Sequence, residues 1–138
     1  MDTIVLTEKL ESLRRCVQRI EEKQPQHIDQ LKQNIDLQDI LVLNLTRAVQ
    51  LCIDIGSHVL SHTNCPAPQT MGSVFTLLQE ANVISSTTSQ QLKKAVGFRN
   101  IAVHQYEAIN WEIVYTISQH SPQDFCRFAQ EISRYAGL

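Results

Sequence analysis

Glycine and proline are scarce, at 4 each in 138 residues, which leaves too few tight-turn residues for the many short connections of a β-sandwich. Charged side chains make up only 19% of the chain and hydrophobic ones 43%, a balance that excludes disordered, collagen-like and fibrous classes. No single sign of charge dominates. Twelve Lys plus Arg against 14 Asp plus Glu give net −2 and a pI near 6.2, so no global field draws nucleic acid and any such contact must be local. No uncharged apolar run approaches about 18 residues, so no membrane span is expected. The first ten residues hold Asp2 and Glu8 beside a short apolar run, unlike the basic start and longer apolar stretch of a signal peptide. Cys16, Cys52, Cys65 and Cys126 are widely scattered, with no CxxC pair. That pattern fits free thiols in a reducing cytoplasm rather than a disulfide framework.

What is present is enough for one domain over residues 1–138, since a compact chain of this size hides about 68% of its unfolded surface without staples. Leu6, Leu10, Leu13, Val17 and Ile20 recur at alternating spacings of four and three, which predicts an amphipathic helix over about 4–23. Pro25 interrupts it, and a weakly helical stretch covers about 28–34. Asp36 is the expected cap of a long apolar helix over about 37–62, with Leu41, Leu45, Val49, Cys52 and Val59 marking it as the central one. A loop containing Pro66 and Pro68 follows, then a Thr70-capped helix to about 81. The Ser85–Ser89 cluster breaks the chain before a helix over about 88–103. Asn110 caps a segment to about 119, and Ser121-Pro122-Gln123-Asp124 reads as a fresh start, with Ser at N-cap, Pro at N1 and acid at N3, for a last helix to about 136. No stretch alternates with period two. The expected fold is all-α, an antiparallel bundle of about five main helices.

The most unusual stretch is Gly97-Phe98-Arg99-Asn100-Ile101-Ala102-Val103-His104-Gln105-Tyr106, which sets Arg, Asn, His and Tyr among apolar packing positions. Cleaving RNA requires a group that moves protons near neutral pH and a cation that offsets charge growing on the phosphoryl oxygens. His and Arg suit those tasks, and attack by a ribose 2′-OH needs little more. Five residues turn an ideal helix by about 500°, so Arg99 and His104 point roughly 140° apart, while Asn100 and His104 share a face. Either the helix ends near His104 and its ring swings, or a second copy of the chain supplies part of the site across a two-fold cleft.

Arg99-x4-His104-x-Tyr106 resembles the R-x4-H-x-Y motif of HepT-like toxins in the HEPN superfamily, and Gly97-Phe98-Arg99-Asn100 resembles the usual lead-in. The helical order, the length and Asp54-Ile55-Gly56-Ser57-His58 near the end of the long helix extend the likeness to most of the chain. The resemblance implies a homodimeric, metal-independent endoribonuclease toxin with no cofactor. It also implies neutralisation by a cognate minimal nucleotidyltransferase (MNT) antitoxin that transfers AMP to the motif tyrosine, here Tyr106. On this reading His104 is general base or acid, Arg99 the transition-state cation, and Asn100 a donor that orients substrate or ring.

Blander readings stand beside these. Arg99 and Asn100 also suit a solvated helix face and His104 a helix C-terminus. Lys93 and Lys94, one to two turns earlier, suit either flanking phosphates or solvent. Asp54 and His58, at i and i+4, suit a hydrogen-bonded pair on the helix surface or a supporting place in the RNA cleft or dimer contact. His58-x3-His62 followed by Cys65 has spacing for zinc but lacks the acid between the histidines and a third ligand on the helix, so no metal is expected. Trp111 suits core or interface. A different class of function also fits, a non-catalytic helical module that binds a nucleotidyltransferase or nucleotide.

Overall fold

A computed structural model describes all 138 residues. It consists of α1 (Thr3–Glu22), α2 (Ile28–Lys32), α3 (Ile35–Leu60), α4 (Met71–Glu80), α5 (Ser86–His104), a 3-10 turn (Tyr106–Ala108) and α6 (Trp111–Ala136), with no strand. The all-α expectation holds. Helix α3 is the axis of the bundle, packed by α1, α2, α4, α5 and α6. Twenty-nine buried residues form one core, its largest members including Phe75, Phe125 and Phe128.

By length and composition α3 is apolar enough to cross a membrane. Asp39, Arg47 and Asp54 interrupt it, so no uncharged apolar run reaches the length of a span. In the fold most apolar positions of α3 lie in the core, where Leu41, Leu45, Ala48, Val49, Cys52, Ile55 and Val59 are all at most 1% exposed. At Gly56 the packing is closest, because a Cβ there would lie 2.6 Å from Val74 Cγ1 and 2.8 Å from Leu78 Cδ1 of α4.

Helix starts follow side-chain caps. Asp2 accepts from the Ile4 and Val5 amides, and Thr70 forms a capping box with Ser73. Asn34 rather than Asp36 caps α3, accepting from Leu37 N–H at 3.0 Å; Asp36 sits in the first turn. Helix α5 begins at Ser86 instead of about 88 because Ser85 is the cap, and Glu131 of α6 accepts the Ser85 amide at 2.6 Å. A carboxylate at a helix N-terminus offsets the partial positive charge of its free N–H groups.

The expected break at Ser121-Pro122 does not occur. Helix α6 runs unbroken for 26 residues with Pro122 inside it. Proline has no N–H for the carbonyl four residues earlier, which is that of Ser118, and Ser118 is fully buried. Gln24, beyond the end of α1, donates its side-chain amide to the Ser118 carbonyl at 2.7 Å. Two more bonds fasten the same connection to α6, from Gln119 to the Pro25 carbonyl at 3.0 Å and from the Tyr115 hydroxyl to the Gln26 carbonyl at 3.1 Å. The orphan acceptor is therefore satisfied from another element.

Candidate functional site

The unusual segment falls where α5 ends. Arg99 and Asn100 lie in its last two turns and His104 is its last residue. Gln105 then leaves the helical region at φ −142°, ψ 58°, and Tyr106 opens the 3-10 turn. Of the two geometries the sequence allowed, the helix does end at His104, so the imidazole is not held to the side of a continuing helix.

Each side chain has a distinct setting. Arg99 is half-buried; its Nη1 lies 3.4 Å from Met71 Sδ on α4 and donates to Asn100 Oδ1 at 3.4 Å. None of the five ion pairs in the chain involves it, so its charge is free for an incoming anion. His104 is exposed and makes no side-chain hydrogen bond within the chain. The Tyr106 hydroxyl donates to Asp39 Oδ1 on α3 at 2.9 Å, and its ring meets Trp111 edge to face at 6.2 Å. Partial burial, followed by the hydrogen bond to Asp39 and the charge of that carboxylate, holds the Tyr106 phenol above its ordinary pKa.

The structure brings Arg99, Asn100, His104 and Tyr106 to one end of α5 but leaves the other candidates apart. Lys93 and Lys94 are exposed and unpaired; Lys94 lines a groove of about 410 Å³ between α5 and α6 with His120 and Asp124, whereas Arg99 faces α4. Asp54 accepts from Gln50 at 2.9 Å and makes no hydrogen bond to His58, so the expected pair does not form within the chain. With a rise of about 1.5 Å per residue, Asp54 and His58 lie about 22 and 28 Å along α3 from Asp39. His58 Nε2 is the one buried side-chain nitrogen or oxygen without a partner. His62 turns its Nδ1 to the His58 carbonyl at 3.0 Å, and no group of three His, Cys, Asp or Glu side chains is placed to hold a metal ion. Trp111, read as core or interface, packs against the core and flanks Tyr106.

Asp39 was not singled out from the sequence, because it stands 67 residues before Tyr106. A trace of it existed. Asp39, Leu43, Arg47, Gln50, Asp54 and His58 follow spacings of four and three, so they share the one face of α3 that is not packed into the core.

A family model described as ribonuclease HepT-like matches residues 13–132. The chain belongs to the ribonuclease HepT-like family. It is 39% identical over 128 residues to the mRNA nuclease HepT of Shewanella oneidensis, covering 93% of this chain and 96% of the relative. To the tRNA nuclease HepT of Aphanizomenon flos-aquae it is 22% identical over 135 residues, 98% of this chain and 92% of the relative. Among solved structures it is similar to a toxin–antitoxin bound to AMP-PNP, with TM-score 0.88, 38% identity and coverage of 94% and 98%. A tri-AMPylated Shewanella oneidensis HEPN toxin in complex with an MNT antitoxin gives TM-score 0.87 at 38% identity, with coverage of 94% and 97%. The HEPN-type helical bundle expected of this HepT-like chain is thus the fold it adopts.

Proposed function

We propose that this chain, folded as one domain over residues 1–138, is the toxin of a HepT/MNT-type toxin–antitoxin pair and cleaves RNA without a metal. The observation that carries the reading is the segment Arg99–Tyr106 at the open end of α5, where an unpaired guanidinium and a free imidazole stand on the surface of a HepT-like chain. Arg99 would bind the phosphoryl oxygens and offset their growing charge. Asn100, one residue away and bonded to Arg99, would orient the phosphate or the imidazole. His104 would move the proton of the attacking ribose 2′-OH or that of the leaving oxygen. A second His104 from another copy would take the complementary role.

Exposed apolar side chains support a homodimer around this segment. Ile101 and Val103 at the end of α5, Leu43 one turn after Asp39, and Ile113 beside Trp111 are 43–53% exposed, and the contacts of Tyr106 with Asp39 and Trp111 join their elements. Exposed apolar side chains on three neighbouring elements favour covering by another surface. An interface of about 1,200 Å² or more across them would face two copies of the motif across one cleft. The same interface, or bound RNA, would supply the group that His58 Nε2 lacks and give Asp54 and His58 a supporting place. Lys93 and Lys94, on the approach along α5, would meet flanking phosphates. The partner that silences the nuclease would be an MNT nucleotidyltransferase, which transfers AMP to Tyr106; this hydroxyl-bearing side chain is 43% exposed and so is open to it.

The test is cleavage of RNA by the purified protein in excess EDTA. We expect products ending in 2′,3′-cyclic phosphate or its hydrolysis product, and a loss of about 10²–10⁴-fold in rate for His104→Ala. Equal rates for parent and variant would refute the role of His104. No cleavage at all, with retained binding to the cognate nucleotidyltransferase, would favour the non-catalytic binding module.

A further inference from the structure

The Tyr106 hydroxyl has one proton, and the fold has already placed it. The phenol oxygen lies 2.9 Å from Asp39 Oδ1, within the reach required of a general base. The base comes from the central helix, so its position is fixed by the core rather than by the turn that carries the tyrosine. Trp111, at the start of α6, packs against the ring at an interplanar angle of 68°. Asp39 itself is exposed and makes none of the five ion pairs. It is a carboxylate without a cation, turned to the oxygen of a tyrosine that is open to solvent.

A phenol is a poor nucleophile while it keeps its proton, and an adjacent base is a general way to activate a hydroxyl. We propose that Asp39 is a catalytic residue of the modification, the carboxylate that takes the Tyr106 proton as a nucleoside triphosphate held by the nucleotidyltransferase delivers AMP. The Tyr106 oxygen forms a bond to the α-phosphorus and the bond from that phosphorus to the bridging oxygen of the β-phosphate breaks. The electron pair leaves with pyrophosphate, and the phenolic proton passes to Asp39 Oδ1 and then to solvent. The toxin would thus bring part of the chemistry of its own silencing. This rests on Tyr106 being the modified residue.

The experiment mixes full-length protein with its cognate nucleotidyltransferase and ATP, and follows AMP incorporation by intact mass, each AMP adding about 329 Da. Asp39→Asn keeps an acceptor oxygen toward Tyr106 but cannot take a proton, and Asp39→Glu restores a carboxylate. We expect Asp39→Asn to lower kcat for labelling by about 10²–10⁴-fold with KM for ATP and affinity for the nucleotidyltransferase little changed, and Asp39→Glu to recover a large part of the rate. Labelling of Asp39→Asn at the parental kcat would overturn the proposal while leaving Tyr106 as the modified residue. So would a parallel loss in both variants accompanied by lower thermal stability, because that pattern marks a structural contact. Parental protein that takes up no AMP, or takes it up equally in Tyr106→Phe, would refute the reading of Tyr106 itself and the proposal with it.

Discussion

Tyr106 shows how a single residue acquires its properties from elsewhere in the chain. Its ring is partly covered and its hydroxyl is bonded to a carboxylate, and both effects favour the neutral phenol, so it ionises above the ordinary tyrosine value of about 10. The sign follows directly. Because the folded value is raised, this contribution to stability is complete below about pH 10 and is lost as pH rises through the folded value. Titrating phenolate absorbance should show one of the three tyrosines ionising late, and Asp39→Asn should move that residue downward without bringing it fully back, since partial burial remains. A Tyr106 midpoint unaffected by Asp39→Asn would mean that the hydrogen bond does not persist in solution. The motif side chains Arg99 and His104 need no such tertiary partner, which is why residue type and spacing alone made them legible.

Among the elements, α6 is the instructive case. Ser121-Pro122-Gln123-Asp124 carries the local marks of a helix start, yet the chain continues through it as one helix. Local preference lost because the bond that Pro122 cannot donate is replaced by Gln24, from a segment 94 residues away. Gln24→Ala should therefore leave the buried Ser118 carbonyl without a partner and cost about 1–3 kcal/mol by urea denaturation. In a Pro122→Ala background the restored N–H can serve that carbonyl, and the same substitution should cost distinctly less. Additive losses in this cycle would show that Gln24 acts through something other than Ser118. Helix α5 is a smaller case of the same kind, since it starts two residues before the local pattern predicts, at the cap Ser85, whose amide Glu131 holds.

At the scale of the whole molecule, the proposed homodimer rests on the exposed apolar side chains around the end of α5. Sedimentation at micromolar concentration should give twice the 15.7 kDa chain mass. Ile113→Glu, a charge placed on a side chain 53% exposed and outside the motif, should yield a monomer of unchanged helical circular dichroism with much reduced RNA cleavage. A monomeric parent would remove the two-fold cleft and leave a single His104 to account for both proton transfers.

Composition and periodicity determined the helical class and five of the six helices to within a few residues, and residue types and spacing marked Arg99–Tyr106 as the candidate site, because these depend on residues three to seven apart. The residues that complete the picture, Asp39 at Tyr106, Gln24 at Ser118 and Glu131 at Ser85, meet across 67, 94 and 46 positions. No local pattern encodes such pairs. They exist only because burying one apolar face of α3 fixes where its other face, and every helix packed around it, must lie.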